Sequence, residues 1–124
     1  MPVHLTVNAI VTASVLGWLT LALAKAQPPI ALTVRPMLAM APRDLYISIR
    51  LQPHASDRVL RVSTDGDLFA RSSSWTIEGE SSPKHYSFWW KDVPAGRYAV
   101  WAVVGNGSTW RATAVQDVIL TGEP

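Results

Sequence analysis

Residues 92–104, DVPAGRYAVWAVV, constrain this chain more than any other stretch. They read as a tight corner that feeds a central β-strand. Val93 and Pro94 close one strand, because proline has no N–H to give to a ladder. Ala95 and Gly96 make the turn, with glycine free to take positive φ. From Tyr98 onward the run is β-branched and aromatic, which suits a pleated, half-buried surface. A tyrosine just after such a corner packs its ring in the core and bonds its hydroxyl back to the upstream backbone. Pro94, Gly96 and Tyr98 are therefore the expected structural corner.

The rest of the chain supplies partners for that strand. Residues 30–35 predict a first strand, and 36–42, bounded by prolines, a Met-containing connector. Residues 44–52, DLYISIRLQ, alternate cleanly: Leu45, Ile47, Ile49 and Leu51 on one face, Tyr46, Ser48 and Arg50 on the other. Turn residues 53–57 lead to a strand at 58–63 and a second turn at 64–67. The Ser-rich stretch 68–74 reads as irregular, and 75–79 as a short strand. Residues 84–91, KHYSFWWK, place Tyr86, Phe88 and Trp90 on one face. After the corner strand at 97–104, Gly105-Asn106-Gly107-Ser108 signals a hairpin into a long last strand, 109–120. Seven short strands at regular spacing, with no amphipathic helix, predict an all-β, antiparallel sandwich.

An apolar segment precedes this domain. Residues 5–24 carry no charge over twenty positions. As a helix they reach ~30 Å, the thickness of a bilayer core. Leu5 and Ala24 bound the span, and Trp18 lies towards its C-terminal end. Two readings follow. A single-span anchor is favoured by the long apolar region and the lack of basic residues before it. A cleaved signal peptide is the alternative, since Ala24-Lys25-Ala26 fits the small-x-small pattern and would leave Gln27 as the new N-terminus. Lys25, Arg35 and Arg43 follow the span, and the positive-inside rule alone would leave the domain in the cytoplasm. An apolar N-terminal segment with Ala-x-Ala ahead of a sandwich instead has the look of an exported bacterial protein. The expected organisation is an anchor over 1–26, a linker with the first strand over 27–43, the remainder of the sandwich over 44–121 and a tail at 122–124. The expected location is the bacterial inner membrane, single-pass, with the sandwich on the periplasmic side.

The corner and the strand spacing carry a resemblance. Residues 29–121 resemble an immunoglobulin-like or fibronectin type III-like domain. The DVPAGRY corner at 92–98 is also similar to that of the transthyretin-like modules found as accessory domains in carboxypeptidases and bacterial surface proteins. The absence of cysteine departs from antibody-type domains. What the resemblance implies is a binding or spacer module rather than an enzyme.

Composition narrows the chemistry. With no cysteine there is no disulfide framework, thiolate catalysis or Cys-based zinc site. From Arg35 on, ten basic residues face nine acidic ones, so nucleic acid is not an expected partner. His4, His54 and His85 lie in separate segments without ligand spacing. Asp65-Gly66-Asp67, with Asp57 upstream, offers oxygen atoms, but turn chemistry accounts for it. No Gly-x-Ser-x-Gly elbow is present, and Ser87 beside His85 lacks a third group. Glu78 and Glu80 alone do not make an acid–base pair. No catalytic residue, cofactor or metal is expected.

Tryptophan is the unusual feature. The chain has six, five of them after residue 26. If Tyr98, Val100, Ala102 and Val104 face the core, then Trp101 and Val103 face out; if Trp90 faces in, Trp89 faces out. Outward aromatics with arginine nearby are the composition of interface hot spots. The candidate interface residues are Trp89, Arg97, Trp101, Val103, Trp110 and Arg111. The expected function is a non-catalytic interaction module, an accessory or assembly subunit docked on a larger integral membrane complex, respiratory or photosynthetic among the hosts. Its other expected partner is the bilayer itself, through residues 5–24. The alternative is a secreted periplasmic module for carbohydrate or another small ligand, released after Ala26. An aromatic row flanked by Asp, Asn or Glu would favour sugar; an apolar, Arg-rimmed patch would favour protein.

Overall fold

The computed structural model describes residues 27–66 and 68–122. The span at 5–24, with Leu5, Trp18 and Ala24, lies outside the described residues. The described residues are all-β and form two sheets. The strands are β1 (Ile30–Arg35), β2 (Leu38–Met40), β3 (Arg43–Leu51), β4 (Val59–Asp65), β5 (Ala70–Thr76), β6 (His85–Val93), β7 (Gly96–Gly105) and β8 (Trp110–Thr121). One sheet has the order β1-β3-β6, the other β2-β8-β7-β4-β5.

The inward face of each alternating strand fills the space between the sheets. On β3, Leu45, Ile47, Ile49 and Leu51 are buried; on β7, Tyr98, Val100, Ala102 and Val104; on β4, Leu60 and Val62. β8 adds Val118 and Leu120. The aromatic residues of β6 close the remaining side. Trp75 on β5 packs against Tyr86 and Phe88, with ring centroids 5.7 and 5.1 Å away, and Trp90 lies edge-on to Phe88 and Phe69. Such edge and tilted contacts are favoured by the ring quadrupole.

Three expectations from the sequence are corrected. Among the described residues the strands number eight, not seven. The 36–42 connector contains β2, which pairs parallel with the end of β8, so the sandwich is not purely antiparallel. Three residues between prolines carry no periodicity of their own. The Ser-rich 68–74 stretch is not irregular from Ala70 on: residues 70–74 with Trp75 and Thr76 form β5, seven residues paired in register with β4. Serine is a poor strand former alone, but a ready neighbour overrides propensity at a sheet edge. Residues 77–79 are accordingly not strand, and Gly79–Ser81 is a single 3-10 turn.

Side chains join the two sheets where backbone does not. Gln116 on β8 accepts from the Val34 N–H at 3.0 Å and donates to the Val34 carbonyl at 2.8 Å. Its amide thus takes the place of a neighbouring strand on the edge of β1 and satisfies both backbone groups. At the corner, the Tyr98 hydroxyl donates to the Pro94 carbonyl at 2.7 Å while the ring is buried against Phe69. Gly96 lies under that ring, where a Cβ would come within 3.1 Å of the hydroxyl oxygen. Burial pushes the Tyr98 hydroxyl up from its ordinary value.

Tyr98→Phe keeps the ring and removes the bond to Pro94, so it is expected to lower stability by about 1–3 kcal/mol. Urea denaturation measures this; a variant as stable as the parent would mean that the hydroxyl does not hold the corner.

Candidate functional site

The outer face of the five-stranded sheet is built by the residues that alternation leaves out of the core. On β7 these are Arg97, Ala99, Trp101 and Val103. Across the β7–β8 ladder Trp101 stands opposite Val115, Val103 opposite Thr113, and Arg97 opposite Ile119. Leu38 on β2 continues the last row beside Ile119. Trp101 is 47% exposed, Val115 48% and Leu38 70%, and Met40 is exposed at the end of β2. Polar residues interrupt and edge this band: Asp117 between Ile119 and Val115, Ser63 beside Trp101, and Arg61 beside Val103.

Trp110 reaches this face through a break in register. Val104 pairs with Ala112, but Gly105 pairs with Trp110, leaving Arg111 as the extra residue of a β-bulge. The slip turns Trp110 outward, away from the side of Ala112 and Ala114. The Arg61 guanidinium then lies 5.3 Å from the centre of its ring, a cation–π contact. Gly105 is needed here because a Cβ would run into the Thr109 carbonyl. The hairpin is closed by the Asn106 side-chain oxygen, which accepts from the N–H groups of Ser108 and Thr109 at 2.8 and 2.9 Å.

The bulge also sets the fate of Arg111. Its Nε donates to one carboxylate oxygen of Asp57 at 2.6 Å, and an Nη donates to the other at 2.8 Å and to the Gln52 carbonyl at 2.8 Å. Asp57 is wholly buried and also accepts the His54 N–H at 2.9 Å. Burial alone would push its carboxyl up, but the Arg111 guanidinium and the His54 N–H outweigh this and hold it below the ordinary carboxylate range. Arg111 is thus not an arginine on the rim of the face. It is committed to a buried carboxylate, a residue that reads in the sequence only as part of a turn.

Of the candidate residues, Arg97, Trp101, Val103 and Trp110 come together on one face. Trp89 does not: it lies on the outer face of the other sheet, against Tyr46. Leu38, Met40, Val115 and Ile119 also belong to the surface and are not among the sequence candidates, and Arg61 lies at its rim with Arg97. Alternation through 113–119 marks Val115 and Ile119, whereas nothing local marks Leu38. Elsewhere, His54 bonds Ser56 within its turn, His85 lies exposed on β6 opposite Arg50, and Asp67 and His4 lie outside the described residues. Among the described residues no three His, Asp or Glu side chains gather to hold a metal.

No family model and no curated protein matches the chain. Solved structures similar to it include these two. One is the CARDB domain of a Pyrococcus furiosus protein in complex with di-metal ions, at 18% identity and TM-score 0.52, covering 76% of this chain and 89% of that one. The other is the superoxide reductase (neelaredoxin) of Ignicoccus hospitalis, at 14% identity and TM-score 0.52, covering 74% and 80%. At these identities the likeness shows the β-sandwich fold and carries neither metal nor reaction.

Replacing Arg111 with Met leaves Asp57 buried without its partner and is expected to cost about 3 kcal/mol in urea denaturation. A loss below about 1 kcal/mol would mean that the pair is not a clamp. The same pair predicts an acid limit. Asp57 titrates lower in the folded chain than the ~3.9 of an unfolded aspartate. Its contribution is therefore complete above that value and is lost as pH falls through the lower, folded one. Thermal melts from pH 7 down are expected to fall off below about pH 4, and to do so less steeply in Asp57→Asn. An equal slope in the variant would assign the acid limit to other groups.

Proposed function

We propose that the chain is a non-catalytic interaction module, an accessory or assembly subunit. Residues 5–24 hold it in a bacterial inner membrane with the sandwich on the periplasmic side. The outer face of the five-stranded sheet docks on a larger integral membrane complex. The observation that carries this reading is the exposed band Leu38–Ile119, Val115–Trp101 and Trp110, with Arg61 and Arg97 at its margin. Tryptophan and arginine around exposed apolar side chains form the kind of surface that binds protein. Among the described residues Asp117 and Asp65 are the acids at outward positions of β4, β7 and β8, and neither stands directly opposite Trp101 or Trp110, as the flanking acids of a sugar-stacking row would. Anchoring would confine module and partner to one membrane, where a modest interface suffices.

Washed membranes solubilised in mild detergent test the reading. The full-length mass is expected in the membrane fraction, migrating with a large complex on a native gel. The double variant Trp101→Ser/Trp110→Ser is expected to be released from it, each truncation costing about 2 kcal/mol, or roughly 30-fold in affinity. A parent protein that migrates at its own mass, or a soluble species beginning at Gln27, sinks the proposal.

A further inference from the structure

The outer face of the three-stranded sheet has a different chemistry. Three cross-strand rows cover it: Arg35–Tyr46–Trp89, Thr33–Ser48–Ser87 and Ala31–Arg50–His85. At ~3.4 Å per residue the rows stand about 7 Å apart. Two adjoining hollows run along this face. One, of about 590 Å³, is lined chiefly by Arg35, Arg43, Asp44, Tyr46 and Trp89. The other, of about 360 Å³, is lined by Thr33, Arg35, Tyr46, Ser48 and Arg50. They share Arg35 and Tyr46 and so make one groove along β3.

Three guanidinium groups line that groove, and among the described residues none is in an ion pair; the two pairs present are Lys91–Asp44 and Arg111–Asp57. Asp44, the only acid in the lining, is already satisfied. It accepts the Asp92 N–H at 3.0 Å and the Lys91 ammonium at 3.2 Å. Those contacts, the backbone one foremost, hold its carboxyl below the ordinary range. Arg35 lies beside Tyr46, Arg43 three residues before it on β3 and Arg50 four after. The Arg35 and Arg50 positions are therefore about 14 Å apart along the strand, and Arg43 lines the hollow at the near end of β3. Charges outside any ion pair along such a groove attract an extended anion.

We propose that this groove binds an acidic polysaccharide, a linear sugar chain carrying carboxylates. The guanidinium forks match carboxylate geometry. The Thr33 and Ser48 hydroxyls between them both donate and accept, as sugar hydroxyls do. A protein partner fits less well, because Trp89 is the single large exposed apolar side chain in these rows. Single-stranded nucleic acid also fits less well, because it needs free rings for its bases. The Trp89 indole is already engaged, with Tyr46 at 4.9 Å and the Lys91 ammonium at 5.0 Å from its ring. It walls the groove instead of offering a stacking platform. The site is on the opposite sheet from Trp101 and does not depend on docking there.

Titration calorimetry of the full chain in detergent micelles with oligogalacturonate tests the assignment. Binding is expected at low salt, weakening as salt rises, and absent for a neutral cello-oligosaccharide of equal length. Arg35→Gln and Arg50→Gln are each expected to weaken it about tenfold, the loss of one charge-assisted hydrogen bond, with the melting temperature unchanged. Trp101→Ser, on the other face, is expected to leave it unaltered. Absence of binding at low salt overturns the proposal, as does binding that survives the double Arg35→Gln/Arg50→Gln change. Tighter binding of polyglutamate or oligothymidylate than of oligogalacturonate overturns it too, in favour of an acidic peptide or a nucleic acid strand.

Discussion

The ion pair between Asp57 and Arg111 is the contact on which much of this sandwich turns. A carboxylate removed from water is tolerated only if its charge is met and its lone pairs are filled. Arg111 meets the charge with two nitrogens, and the His54 N–H fills a remaining site. For Arg111 to do so, β8 must carry one extra residue opposite Val104 and Gly105. The same extra residue turns Trp110 to the outer face. One buried charge thus fastens the β3–β4 turn to the last strand and sets part of the exposed aromatic surface. Its field extends further: burial first, and the Asp57 charge second, push the Tyr86 hydroxyl up from its usual value.

The two sheets share one core but present unlike exteriors. A strand shows alternate residues to opposite faces, so filling the core with Leu, Ile and Val leaves the outward positions free to differ. On the five-stranded sheet those positions hold Trp101, Val115, Ile119 and Leu38. On the three-stranded sheet they hold arginine, serine and threonine around Tyr46 and Trp89. A near-neutral chain can therefore carry a cationic groove on one side and an apolar band on the other. Gln116 keeps the edge of β1 satisfied between them.

Local pattern decided which strands form the core and which way their side chains point. Alternation in 44–52 and 97–104 identifies the buried faces of β3 and β7, because a period of two survives in any environment that wets one side. Two-faced alternation also implies that Trp89 and Trp101 point away from the core, as they do. It cannot say that they belong to different sheets. Strand order is a matter of pairing, and pairing leaves no trace in either strand alone.

Tertiary structure alone decided the rest. β2 exists because β8 offers its end as a template, and β5 because β4 does; neither LAM nor ARSSSWT carries a strand pattern of its own. Arg111 reads as a surface arginine until the fold delivers a buried carboxylate from 54 positions away. The groove of Arg35, Arg43 and Arg50 arises because register sets β1 beside β3. What the amino-acid sequence determined by itself was the alternation, the turns and the corner at Tyr98, all interactions between residues a few positions apart. What the fold determined were the contacts between distant segments, since only chain closure brings those charges and rings within reach of one another.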